Sequence, residues 1–247
     1  MRLQEQIREE QKRIKILTWF DREYPPLLRL IKDAPLILYV LGRDHLLIQP
    51  AISVIGTRNP SAGSSHKTAA IVDPLTKAGF CIVSGLASGI DAQAHERALT
   101  VGGKTIAVLG SGFNYIYPRN HLPLSKMIAN TGLLLSEYPP DTPPKKYHFP
   151  ERNRIISGLS FGVVVIEALS RSGTMITVDQ ALDQGREVYA MPDSLFLPQS
   201  AGCHDLIGQG AKLVTCGSDI TKDWVDFGAR QYEPHLKHFV HTFDKSD

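Results

Sequence analysis

Residues 51–109 read AISVIGTRNPSAGSSHKTAAIVDPLTKAGFCIVSGLASGIDAQAHERALTVGGKTIAVL, and this stretch decides the fold. Short runs rich in Val, Ile and Leu each end in a glycine-containing turn, and amphipathic helical patterns fill the intervals. Strands apolar on both faces that alternate with helices form a parallel sheet covered on both sides. Working outward, the same alternation predicts strands at 51–55, 80–83, 105–109, 133–135, 162–166, 187–191 and 211–214. Helices are predicted at 64–77, 91–101, 121–130, 173–184 and 203–209. The fold class is α/β, a doubly wound and mostly parallel sheet. Ligands of such sheets sit beyond the carboxyl ends of the strands.

The rest of the chain sets limits on this reading. Its 247 residues, 43% hydrophobic and 21% charged, suit one large α/β domain with small appendages. The formal net charge is +2, so any basic region is local. No apolar run approaches the ~20 residues that span a membrane, and the start MRLQEQIREEQKR has no signal-peptide apolar core. Cys81, Cys203 and Cys216 lack metal-ligand spacing and read as reduced thiols of a cytoplasmic protein. No metal and no cofactor is expected. Residues 3–17 carry helical spacing, with Leu3, Ile7, Ile14 and Leu17 near one face. Tyr24-Pro25-Pro26 interrupts it, and residues 35–42 read as a strand or extended arm. Three parts follow: a helical extension and arm over 1–45, the α/β domain over 46–216, and a helical or irregular tail over 217–247.

Four strand ends carry the chemistry. They are Gly56-Thr57-Arg58-Asn59-Pro60, Ser84-Gly85-Leu86-Ala87-Ser88-Gly89, Gly110-Ser111-Gly112-Phe113, and the turn from Glu167 to Ser172-Gly173-Thr174 that opens a helix. Glycines let backbone N–H groups approach an anion, and a helix N-terminus adds about half a positive charge. Arg58 is the fixed cation on this floor. None of the turns is a P-loop or a GxGxxG fingerprint. Residues 145–154, KKYHFPERNR, concentrate Lys145, Lys146, Arg152 and Arg154 with Tyr147, Phe149 and Asn153. Cations neutralise phosphates and an aromatic face stacks on any base, a pairing suited to single-stranded nucleic acid. The same composition also describes a solvated basic loop capped by a core Phe. Asp91 and His95, at i and i+4, can touch, either as an acid–base pair or as a helix-terminal Asp steadying a His. Glu167 reads as a residue that orients the neighbouring loop. No nucleophile is evident.

The ordered strings IGTRNPS, VSGLASGIDAQAH, GGKTIAVLGSGFNYIYP, LLLSEYPPDTPPKKYHFPERNRIISGLS and VVVIEALSRSGT resemble the DprA/Smf family of bacterial DNA-processing proteins, over roughly residues 24–214. The resemblance implies an extended Rossmann-like domain that binds single-stranded DNA without catalysis. It further implies protection of incoming strands in natural transformation, loading of RecA, and a homodimer. Carried over by position, Arg58 and Lys146 contact backbone phosphate, Phe149 stacks on a base, and Arg152 and Arg154 complete a basic wall. Gly85, Gly89 and Gly112 keep the adjoining loops low. Ser172-Gly173-Thr174 stands where the family usually has Ser-Gly-Ser, and Asp193 adds a negative charge where Pro-Gly is commoner. The residues after Val214 are too few for the winged-helix module of many members. A second class is the LOG-type nucleotide hydrolases, with a PGGxGTxxE signature at the equivalent strand end. There Thr177 stands in place of the signature Glu.

Overall fold

A computed structural model of the chain describes residues 14–225. Among them nine strands form one sheet. They are β1 (Ile14–Thr18), β2 (Ile37–Gly42), β3 (Ala51–Ile55), β4 (Cys81–Ser84), β5 (Lys104–Leu109), β6 (Leu133–Ser136), β7 (Gly162–Val165), β8 (Glu187–Ala190) and β9 (Lys212–Leu213). The order across the sheet is β1-β2-β6-β5-β4-β3-β7-β8-β9. The first two pairings, β1 with β2 and β2 with β6, are antiparallel, and the remaining six are parallel.

Eight helices cover it: α1 (Pro26–Arg29), α2 (Ser64–Lys77), α3 (Ile90–Thr100), α4 (Leu122–Thr131), α5 (His148–Leu159), α6 (Gly173–Asp183), α7 (Ala201–Gly208) and α8 (Gly217–Asp223). Alternate residues of each central strand enter opposite cores, as the pleat requires. Ile55, Val83, Val108 and Val165 pack with Ile155, Ile156, Val178 and Cys203 of α5, α6 and α7. Val54, Ile82, Val164 and Ile166 pack on the other face with Ile71, Leu75, Ala94 and Ile220 of α2, α3 and α8. Strands buried on both faces explain why their sequences lack polar alternation.

Three expectations change. Residues 14–17, predicted as the end of a helix, form β1, where Ile14 pairs with Leu41 and Leu17 with Leu38. The β-branched Ile14, Ile16 and Thr18 favour a strand once β2 offers a partner; residues 1–13 lie outside the described part. The described parts of the predicted extension and tail also lie on the main body, and residues 226–247 of the tail lie outside the described part. β1 and β2 extend the same sheet, and Trp224, just after α8, is buried against Phe80 and Phe161. The third change is α5. The basic segment is not a loop along its length: His148 opens a twelve-residue helix. Pro150 lies in its first turn, where an N–H has no intrahelical partner anyway.

Between β3 and β7 the strand order reverses, because the chain moves outward through β4, β5 and β6 before returning to the other side of β3. The rule for such sheets places a crevice there.

Candidate nucleic-acid interface

A cavity of about 300 Å³ opens at that reversal. Its walls come from four elements: the turn after β3, the turn from β4 into α3, the first turns of α5, and the N-terminus of α6. Gly56, Thr57, Arg58, Phe149, Arg152, Asn153, Ser172, Gly173 and Thr174, all expected from sequence, line it together. Thr177, Ala87 and Asp91 line it as well, outside the expected set.

The turn after β3 is held in place from below. Thr57 N–H donates to Glu167 O at 2.7 Å, and Ile90 N–H donates to Thr57 O at 3.2 Å. The fully buried Glu167 carboxylate accepts from Ser61 N–H at 2.8 Å, and also meets Ser61 Oγ and Lys67 Nζ. Glu167 thus orients the loop that carries Arg58, as the sequence suggests. Gly89, at φ +82°, lies directly against Thr57 O and the Arg58 backbone, a conformation and a contact that a side chain disfavours. Arg58 projects into solvent at the cavity mouth with no ion pair or hydrogen bond among the described residues.

Phe149, the second residue of α5, is half-buried. Its ring lies over Gly110 at the end of β5, where a Cβ would sit 2.9 Å from Phe149 Cδ1. Tyr117 flanks it at 5.3 Å between ring centroids. Gly110 therefore gives the ring its floor by lacking a side chain. Lys145 and Lys146 are exposed on the approach to α5 and do not line the cavity. Lys145 Nζ lies 5.7 Å from the Tyr147 ring centroid.

Arg152 and Arg154 part company. Arg152 is buried, and its Nη1 donates to Gly85 O at 2.6 Å and to Val108 O. Burial pulls its pKa down to about 10, against the opposing field of Asp91. Arg154 is not a wall of the cavity. It points away, to Glu137 at 2.7 Å and Asp33 at 3.0 Å. One helical residue apart from i+3 spacing, the two cannot share a face.

Four other expected residues support the site from outside its lining. Ser84 Oγ is fully buried and donates to Val54 O at 2.7 Å. Gly85 lies under the Arg152 guanidinium. Gly112 packs against the carbonyls of Pro139 and Pro140, and its N–H donates to Thr142 O at 2.8 Å. Gly89 acts as described above.

The Asp91–His95 contact does not form. Asp91 Oδ2 turns back to accept from Gly85 N–H at 3.1 Å and Ala87 N–H at 3.4 Å. Burial pushes its pKa up, while Arg152 opposes the shift. His95 points into the core, where Nδ1 meets Thr105 Oγ1 at 2.6 Å. Thr105 donates its own proton to Ile82 O, so His95 Nδ1 is the donor in that pair. Burial lowers the His95 pKa to about 3. Asp193 is also not a free charge, since Lys67 pairs it with Glu167.

Thr174 and Thr177 on α6 line this space, and the Ser172 hydroxyl at its N-cap makes no capping bond. The arrangement offers anion-binding donors at one end, an aromatic face at the rim and two buried charged residues, Asp91 and Arg152, in the lining. Among the described residues no group of His, Cys, Asp and Glu could hold a metal ion, and no helix is long and apolar enough to cross a membrane.

Comparison with known proteins places the chain in a family and bears out its fold. The family model described as DNA recombination-mediator protein A matches residues 15–225. DNA processing protein DprA of Bacillus subtilis (strain 168) is 44% identical over 214 residues, 86% of this chain and 72% of its own length. The crystal structure of DprA from Streptococcus pneumoniae superposes with a TM-score of 0.82 at 43% identity, over 89% of this chain and 77% of that one. A Helicobacter pylori DprA structure, described for its single-stranded DNA binding mode, superposes with a TM-score of 0.77 at 32% identity, over 86% and 96%. On these matches the chain belongs to the DNA recombination-mediator protein A family, the DprA/Smf proteins.

Proposed function

We propose that this protein binds single-stranded DNA, independently of sequence, through the cavity at the β3–β7 reversal. The observation that carries the reading is one space bounded by an unpartnered cation, Arg58, a half-exposed ring, Phe149, and the uncapped N-terminus of α6. Phosphate goes to Arg58 and the α6 terminus, with Lys146 on the approach; a base stacks on Phe149. A duplex presents phosphates but hides its base faces, so the single strand is preferred. The Helicobacter pylori relative's single-stranded DNA binding mode supports the assignment.

Family membership extends the reading to protection of incoming strands and loading of RecA, within a homodimer whose paired cavities lengthen the DNA path. No bond is made or broken in this function. Thr177, where the nucleotide hydrolases have a Glu, supports binding over hydrolysis, and incubation with nucleoside monophosphates should release no free base.

The test is a titration of fluorescent oligo-dT against duplex of equal length over a range of salt. Tighter binding of the single strand, weakened by Arg58→Ala, supports the proposal; equal affinity for both forms refutes it.

A further inference from the structure

The loop after β8 holds an aromatic ring almost wholly in water. Phe196 is 95% exposed, and Leu195 beside it 83%. The loop is nevertheless fixed. Ser194 N–H donates to Asp193 Oδ1 at 2.7 Å, and Phe196 N–H donates to Ser194 Oγ at 3.2 Å. Ser200 Oγ donates to Ser194 O at 2.7 Å, and His204 Nε2 donates to Asp193 O at 3.0 Å. A loop held this way displays its ring and forgoes the burial that a Phe otherwise gains.

The place of this loop relates it to the cavity. β3, β7 and β8 run parallel, so the turns that follow them lie on one edge of the sheet. Two sets of contacts tie the loop to that edge. Lys67 pairs with both Asp193 and Glu167, and Glu167 holds Ser61 of the turn that carries Arg58. Ala168 N–H donates to Gln199 O at 2.7 Å, and Gly202 N–H donates to Ala168 O at 2.8 Å. These bonds dock the loop on the turn from β7 to α6, whose far end, Ser172 and Gly173, lines the cavity. Arg171, in that same turn, is exposed and has no ion pair or hydrogen bond among the described residues. Lys67 neutralises Asp193, the one carboxylate of residues 191–200.

We propose that Phe196 is a second stacking platform, and Arg171 a second phosphate contact, for a single strand that leaves the cavity across the N-terminus of α6. This rests on the assignment of the cavity as the strand site and extends that site to the end of β8. The chemistry repeats: an unpartnered cation beside an accessible ring, as with Arg58 and Phe149. One protruding ring is enough to stack a base, whereas a stable protein interface needs a far wider surface. The loop's Asp193, Ser194 and Gln199 are polar. Stacking reads no base edge, so a second platform adds affinity with strand length and no preference for sequence.

The test is a series of oligo-dT strands of increasing length, bound to the parent, Phe196→Ala, Phe196→Leu and Phe196→Trp. At a site this exposed the variants should melt with the parent. Strands short enough to fill only the cavity should bind parent and Phe196→Ala alike. Longer strands should bind Phe196→Ala and Phe196→Leu at least about fivefold more weakly, the smallest loss expected for one stacked base. Phe196→Trp should restore them, and oligo-dT should quench its emission beyond any quenching of Trp19 and Trp224 in the parent. Arg171→Ala should flatten the salt slope of long strands by about 0.7 and leave short strands unchanged. Equal affinity of parent and Phe196→Ala at every length, with Arg58→Ala weakening all lengths, overturns the second platform and leaves the cavity as the strand site. Full affinity in Phe196→Leu marks plain apolar contact and also overturns it. So does a loss that accompanies a change of the free protein's mass in light scattering, which makes the loop an interface between copies of the chain. If Arg58→Ala changes binding at no length, the cavity assignment falls first and the extension falls with it.

Discussion

Two adjoining parts of the basic segment show what a helix does to a cluster of cations. Lys145, Lys146 and Tyr147 precede α5 and stand in solvent, while Arg152, in the second turn of α5, is buried on the ends of β4 and β5. The lysines are free to meet a polyanion by long-range attraction. The arginine's Nη1 is committed to two carbonyls of the fold. Composition is the same in both parts; the helical register separates a charge that recruits a ligand from a charge that builds the site.

Removing Arg152 tests that separation most severely. In Arg152→Met, the carbonyls of Gly85 and Val108 lose their donor and Asp91 loses its compensating charge. Leaving two buried carbonyls without their charged donor costs about 2–6 kcal/mol in all. Chemical denaturation should show a loss of that size, whereas Lys146→Ala should not move the midpoint. A variant as stable as the parent would place Arg152 with the lysines.

Acid gives the next largest effect, through His95, whose buried imidazole is kept neutral in part by Arg152. Its folded pKa, about 3, lies below the usual His value of about 6.5, so the unfolded chain takes up the proton more readily. The stability tied to this group is complete above pH ~6.5 and is lost as pH falls toward 3, at up to about 1.4 kcal/mol per pH unit. The difference in stability between the parent and His95→Gln, followed from pH 7 to 4, isolates it from the titrating carboxylates. A difference independent of pH would refute a neutral, buried His95.

Phe149 stands at the boundary between the two parts. Phe149→Ala should weaken single-strand binding by about 1–3 kcal/mol if the ring stacks on a base. If the variant unfolds instead, the ring over Gly110 is core and the cation cluster loses its aromatic partner. Arg58→Ala and Lys146→Ala should each lower affinity across all sequences. Each should also flatten the dependence of log K on log salt by about 0.7, the share of one phosphate contact on a single strand. Unchanged slopes in both would remove these cations from the DNA path.

The parallel half of the sheet was readable from the chain because its strands are buried on both faces and leave continuous apolar runs. The antiparallel edge was readable only in part: residues 35–42 read as a strand or extended arm and form β2, but β1 was missed. β1 is short and begins directly after a charged run with helical spacing, and its pairing with β2 is a tertiary contact that periodicity does not carry. α5 was hidden by Pro150 and by a density of cations that reads as a loop. Its buried positions His148, Arg152, Ile155, Ile156 and Leu159 do follow helical spacing, with Ser157 and Gly158 buried beside them, but His148 and Arg152 are polar residues whose burial only the facing carbonyls explain. The strand-end glycines, Arg58 and Phe149 were legible as one family motif set. Asp91 was visible as a titratable residue, yet its partners are backbone groups of its own turn rather than His95. Backbone partners leave no trace in residue identity.

Arg154 is the mildest test of the comparison. It lies two residues beyond Arg152 and carries the same charge, but its ion pairs with Glu137 and Asp33 join α5 to the segments after β6 and α1. Asp33 is largely exposed, so solvent screens that pair, whereas the Glu137 pair is mostly shielded. Arg154→Ala should therefore cost about 1–2 kcal/mol of stability, less than Arg152→Met, and oligo-dT affinity and its salt slope should stay at parent values. A loss of binding comparable to that of Arg58→Ala would mean that the ion pairs open when DNA arrives and that α5 presents cations on two faces. An unchanged affinity leaves one face of the helix for the strand and the other for the fold.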